Sequence, residues 1–250
     1  MADTKRANRQ VCDVDIYILK TMAPYLYFDT ANTTSTSISG DSTYAMAKGS
    51  KRIAFQNPME GTLTIEAQVY PFKFFALLSD GSIETDAAYA VHEELVADAE
   101  GSITLPTVNS GEIITGTVYV YPKGSYGEES EVIEGSFSSS KFTATEPSKI
   151  VKDAAYEVAY MVNRTGVKKI SFTNKKIPKD YYITMRTLDK DEDGALTPFL
   201  ITYYKATIQR NFELSFSSEG DPASVTLTFD TLEDKEGRIL DMVELPDDAE

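Results

Sequence analysis

Between residues 204 and 230, apolar and polar residues alternate in two long runs around Gly220, Asp221 and Pro222. Tyr204, Ala206, Ile208, Phe212, Leu214 and Phe216 share one parity, and Lys205, Thr207, Gln209, Asn211, Glu213 and Ser215 share the other; Arg210 alone breaks the pattern. Beyond the turn, Ala223, Val225, Leu227 and Phe229 alternate with Ser224, Thr226, Thr228 and Asp230. Side chains on a strand point to opposite faces with period two, so this pattern predicts an antiparallel hairpin with one greasy and one hydrophilic face. A first strand of about a dozen residues is roughly twice the usual length. Its polar face is either ordinary outer surface or the wall of an aqueous channel.

The same reasoning predicts strands over residues 11–20 and 25–28, then over 62–70, where Leu63, Ile65, Ala67 and Val69 alternate with Thr64, Glu66 and Gln68. Residues 29–50 are dominated by Thr, Ser, Ala and Gly and cannot form a core alone, so they predict a projecting hairpin or flap that orders against a partner. Pro71, the apolar run 72–78 and Gly81 predict a short helix that plugs the sheets. Residues 87–99 suit either helix or strand, with strand favoured. Short strands are expected at 117–121, around Phe137, at 141–145 and at 156–162, and longer ones at 168–173 and 181–188. The change of texture divides the chain into a main β domain, residues 1–100 and 164–250, and an inserted β subdomain, residues 101–163.

A chain of 250 residues with 42% hydrophobic content can bury a sizeable core. Its longest apolar runs fall short of a membrane span, and the first ten residues lack a signal-peptide core, so synthesis in the cytoplasm is expected. The net charge of -15 argues against gripping nucleic acid, which needs clustered Lys and Arg. That acidity serves either plain solubility or a functional repulsion. Lys5, Arg6 and Arg9 form a basic N-terminal arm, and Asp247, Asp248 and Glu250 an acidic tail; both are expected to be mobile in an isolated subunit, either simply solvated or docking on neighbouring copies.

Catalytic chemistry is scarce. His92 is the sole histidine and Cys12 the sole cysteine, which excludes an internal disulfide and points to an inert thiol. Val96 stands where a zinc-protease helix after His92-Glu93-Glu94 needs its second histidine, and no serine sits in a nucleophile elbow. No catalytic or cofactor-binding residue is assigned, and no cofactor is expected beyond one candidate ion. Asp189, Asp191 and Asp193 with Gly194 fit the opening of an EF-hand calcium loop, but Leu200 replaces its closing glutamate and the flanks read as strands. An acidic β-turn is the competing explanation. The segments 187–190 and 231–235 echo each other before acidic glycine-containing turns, which reads as turn chemistry and not duplication.

Long two-faced strands, a Ser/Thr-rich loop after the second strand, the plug at 71–78, and the closing stretch from Phe212 through Pro222 to Phe229 and Asp230 together resemble a bacteriophage tail tube (major tail) protein. The resemblance is strongest over 170–243, weaker over 11–78 and weakest over 101–163. It implies a mainly β fold of two packed antiparallel sheets, a sandwich or partial barrel, with a short helix. It further implies self-association into hexameric rings that stack into a hollow tube, with a wall closed by strands from all subunits. Tape-measure protein and DNA would pass through without specific binding. Tail sheath, baseplate and tail terminator proteins are further expected partners, and the expected location is the virion tail, reached from the host cytoplasm.

A head-decoration or fibre-type β module would present the same strands to ordinary solvent. Fifteen tyrosines also suit a carbohydrate-binding module, although tyrosine is common in strands and tryptophan is absent. An enzyme is the remaining class, and it would have to rely on His92.

Overall fold

The computed structural model describes residues 5–214, 220 and 222–245. In chain order it contains β1 (Arg6–Asn8), β2 (Asp13–Ile18), β3 (Ala23–Phe28), β4 (Thr33–Ser39), β5 (Ser42–Ala47), β6 (Ser50–Gln56), β7 (Glu60–Ala67) and the one-turn helix α1 (Lys73–Ala76). There follow β8 (Glu84–Val96), β9 (Ser102–Thr104), β10 (Gly111–Ile113), β11 (Tyr119–Pro122), β12 (Gly135–Ser138), β13 (Lys141–Ala144) and β14 (Ala155–Lys169). The last four strands are β15 (Asp180–Asp191), β16 (Leu196–Ile208), β17 (Val225–Thr231) and β18 (Leu240–Glu244). The predicted mainly β, antiparallel fold with one short helix is what the described residues form. The chain divides into two units, Met1–Ser82 with Phe172–Glu250, and Ile83–Ser171.

In the first unit a nine-stranded sheet runs β3-β2-β15-β16-β17-β7-β4, with β1 added beside β15 and β18 beside β16. The two expected layers are the two arms of this single sheet. β2 and β4 stand five strands apart, about 24 Å if the sheet were flat. Yet the Cys12 N–H, next to the start of β2, donates to Thr34 Oγ1 of β4 at 3.2 Å. The sheet therefore folds over on itself. Val14 and Ile16 of β2, Leu63 and Ile65 of β7, Tyr181 and Ile183 of β15, and Leu227 and Phe229 of β17 share one buried cluster. Phe74, Leu77 and Leu78, in or just after α1, pack into it, with Phe74 stacked on Phe28 at 4.9 Å. That is the plug expected from the sequence.

The fold-over occurs along β16. Its residues Phe199–Tyr203 pair with β18, whereas Ala206–Ile208 pair with β17. Between these segments Tyr204 and Lys205 together oppose the single Tyr182 of β15, because Tyr181 faces Ala206 and Ile183 faces Tyr203. A bulge of this kind bends a strand and lets it pass from one layer to the other. It also moves the inward parity by one residue, so Tyr203 is buried while Tyr204 turns outward against Tyr182, contrary to the alternation read from 204 to 216. The strand ends at Ile208, so Phe212 and Leu214 are not strand residues; Ser215 and Phe216 lie outside the described residues.

Three further expectations are corrected. Of residues 29–50, only the part from Ser42 onward belongs to a projecting hairpin. β4 instead joins the sheet, because alternate residues bring Thr34 and Thr36 inward to polar partners while Ser35 and Ser37 face out. The strand expected at 168–173 is absent: β14 ends at Lys169, after a register shift, and residues 170–179 form no strand. Some near-terminal residues, expected to be solvated or to dock on other copies, instead pair within the chain. β1 pairs with β15, β18 pairs with β16, and Arg6 meets Glu244 at 2.7 Å. Asp247, Asp248 and Glu250 lie outside the described residues.

In the second unit the long pair β8–β14 carries β10 and β11, and a separate sheet runs β12-β13-β9. Tyr156, Val158, Tyr160 and Val162 alternate inward from β14 and bury with Ile103, Phe142 and other residues in a core of their own. Gly101 has φ +74, and a Cβ there would stand 2.8 Å from Pro147, so both conformation and space require glycine. The expected insert 101–163 lies inside this unit. The unit extends to Ile83 and Ser171 because β8 pairs with β14 along nearly its whole length.

Candidate functional site

The outward face of β4, β7 and β17 is a ladder of hydroxyl and carboxylate groups. Register places Thr33, Glu66 and Thr226 in one row, Ser35, Thr64 and Thr228 in the next, and Ser37, Thr62 and Asp230 in a third. The third row continues through Thr207 of β16 to Asp180 of β15. Inward neighbours Leu63, Ile65, Leu227 and Phe229 are fully buried, and this fixes which face each residue takes. Thr64 and Thr228 hydroxyls stand 3.4 Å apart, and Gln209 Nε2 donates to Asp230 Oδ1 at 2.7 Å. None of these row positions carries Lys or Arg. The result is a wide, hydroxyl-rich, weakly acidic wall.

Beside this wall stands the two-stranded hairpin β5–β6, turned by Lys48 and Gly49, both at positive φ. Such a pair of φ values matches a tight hairpin turn. All residues of β6 are exposed, and Tyr44, Met46, Ile53 and Phe55 show 40%, 59%, 58% and 58% of their surface. A lone two-stranded hairpin is marginal in water.

A family model described as the YomU/Tube protein family matches residues 9–244. The chain belongs to the YomU/Tube protein family. This bears out the resemblance to phage tail tube proteins read from the sequence, and it makes the chain a tube-type structural protein of the virion tail. No curated protein matches the chain.

Within the Tube-family fold the residues singled out for calcium do not converge. Asp189 lies in β15 and accepts from Asn8 Nδ2 at 2.8 Å. Asp191 Oδ1 accepts the backbone N–H groups of Asp193 at 3.0 Å and Ala195 at 2.8 Å, while Asp193 is exposed. Among the described residues no three His, Cys, Asp or Glu side chains gather as a metal-binding group. Asp234 repeats the arrangement of Asp191, with its Oδ1 accepting from the N–H groups of Glu236 and Arg238, both at 2.8 Å. Gly194 at φ +92 and Gly237 at φ +80 occupy equivalent places. The sequence echo therefore marks two copies of one aspartate-capped turn.

His92 lies in β8 and stacks on Tyr126 with ring centroids 3.9 Å apart. Cys12 is half-buried, and burial pushes its thiol above the ordinary value. Tyr203, which sequence reasoning passed over in favour of Tyr204, is fully buried with its hydroxyl bonded to Thr36. Burial raises its phenol to about 12, and the Thr36 bond only partly opposes this. The signal that separates the two tyrosines is the bulge, which strict alternation cannot register.

Proposed function

We propose that the chain is the subunit of a phage tail tube, self-assembling into stacked hexameric rings around a channel through which the genome is ejected. The observation that carries this reading is the cation-free row structure of Ser, Thr, Asp and Glu across β4, β7, β17 and β16. Hydroxyls keep such a wall wet. Glu66 and Asp230 repel phosphate, so DNA slides past without the Lys and Arg contacts that would retain it.

Among the described residues, β3 and β4 end the strand order with no further neighbour. Pairing them between copies would close the wall, which is how a sheet loses its liability to indiscriminate association. The β5–β6 hairpin would settle on an adjacent ring and bury its apolar side chains there. Tape-measure protein would fill the channel before ejection, and tail sheath, baseplate and tail terminator proteins are candidate partners outside and at the ends. The chain would assemble in the host cytoplasm and act in the virion without catalysis.

Negative-stain microscopy and sedimentation of concentrated protein test this. Hollow tubes or rings with six-fold averages support the proposal. Strictly monomeric behaviour at every salt concentration, with neighbouring virion proteins added, would overturn it.

A further inference from the structure

One end of the first unit exposes an aromatic patch. Phe172 meets Phe212 at 5.4 Å, and Phe212 meets Phe75 at 6.2 Å. Phe172 is 49% exposed and nearby Ile177 75%. A contiguous apolar patch of this kind on a soluble chain marks an interaction site. Residues 172–179 contain Lys175, Lys176 and Lys179 in a chain with 24 cations against 39 acids; Lys176 pairs with Asp80 at 3.6 Å, which leaves Lys175 and Lys179 as the cations of the rim. Lys175 and Lys179 are exposed, and Arg210 is held against the same loop by donating to the Thr173 carbonyl at 3.0 Å.

The loop leads directly into β15, whose far end carries an acidic turn flanked by exposed Lys190 and Arg9. Asp191, the last residue of the strand, is followed by exposed Glu192 and Asp193, and Leu196 just beyond is 49% exposed. β15 is 12 residues long, so the two ends stand about 40 Å apart on one extended strand. They cannot meet within one molecule. An apolar, cation-rimmed surface at one end and an acidic turn beside an exposed leucine at the other are complementary only between copies.

We infer that each chain docks end to end on a second copy, the aromatic patch around Phe172, with Lys175 and Lys179, receiving the turn of Glu192 and Asp193. This rests on the self-assembling reading above and deepens it by naming a contact. The contact is heterologous, one end of a copy meeting the other end of the next, and such contacts propagate into stacks or close into rings. Opposed charge steers the approach and fixes the register, while the aromatic rings bury against Leu196.

Two charge-reversed full-length variants test the inference: Lys175→Glu with Lys179→Glu, and Glu192→Lys with Asp193→Lys. All four side chains are exposed, so both variants should melt with the wild type. By sedimentation and negative stain, each variant alone should assemble at least tenfold less readily, since its two ends now carry like charge. An equimolar mixture should recover assembly, because alternating copies restore opposite charges at both contacts. Wild-type assembly should also weaken as salt rises, which keeps the inference testable if a variant folds poorly. Wild-type protein that assembles while both variants assemble equally well alone overturns the inference and leaves the tube reading intact. Wild-type protein that never assembles overturns both.

Discussion

Tyr203 of β16 and Thr36 of β4 share a hydrogen bond between their hydroxyl groups, although their strands stand three places apart in the sheet. A flat sheet would separate them by about 14 Å, so the bond spans the inside of the fold where the two arms close. Tyr203 is fully buried, and its phenol is raised to about 12 from an ordinary 10.0. Below pH 10 the phenol is protonated in both folded and unfolded chains, and its contribution is complete. Between pH 10 and 12 the unfolded chain loses the proton first, so stability falls as pH rises. Tyr203→Phe should make the alkaline fall in melting temperature shallower over that window. At neutral pH it should cost about 1 kcal/mol, because Thr36 loses its partner. An unchanged alkaline slope would contradict the burial assigned to this ring.

The bulge at Tyr204 and Lys205 makes a sharper prediction. Deleting Lys205 removes the extra residue and shifts one part of β16 by a single position relative to the other. Either Tyr203 and Ile201 or Ala206 and Ile208 must then turn out of the core, since strand side chains alternate. Loss of cooperative unfolding, read by circular dichroism and aggregation on heating, is expected. Lys205→Ala keeps the backbone count and removes only an ion pair with Asp180 at 3.9 Å, so it should stay within about 0.5 kcal/mol of the wild type. Equal behaviour of the two variants would show that the bulge is not what sets register.

Much of this fold is legible from period-two alternation alone. Leu63, Ile65, Val225, Leu227 and Phe229 read directly as core because their strands are regular and one face is sealed. What escapes is what alternation cannot encode. The bulge inverts Tyr203 and Tyr204, and the pattern at Phe212 and Leu214 continues past the end of the strand because loop residues can alternate by chance. β4 was hidden because its inward residues Thr34 and Thr36 are polar and find hydrogen-bond partners inside. The hydroxyl wall was half visible: Thr64, Glu66 and Thr207 stand on polar parities, but only the register between strands brings them into rows.

Thr231 offers a stabilising change. It is 5% exposed, and its hydroxyl has no hydrogen-bond partner among the described residues. The oxygen sits where a Cβ on the facing Gly61 would be, 2.2 Å from that position. Thr231→Val keeps the shape and removes an unpaired buried polar group, which should raise stability by about 1 kcal/mol in urea unfolding. A loss of that size would mean the hydroxyl bonds a buried water.

The acidic turn after β15 should behave as a turn. Asp191 already accepts two backbone N–H groups, so Asp191→Ala should cost about 1 kcal/mol with or without calcium present. Chelator should leave the wild-type melting temperature unchanged. A calcium-dependent rise in melting temperature that Asp191→Ala abolishes would instead assign the turn an ion.

The central claim is that the rows through Thr64 and Thr228 face a closed channel. Size-selective labelling of assembled protein tests it most directly, with Cys12 first replaced by alanine and a single cysteine introduced as Thr64→Cys or, on the second unit, Tyr119→Cys. A small maleimide should label both sites in assembled tubes. A maleimide on a bulky polyethylene glycol should label Cys introduced at Tyr119, which is 50% exposed, and spare the one at Thr64 until the tubes are dissociated. Equal bulky labelling of both sites in intact assemblies would place the hydroxyl wall in open solvent and contradict the account.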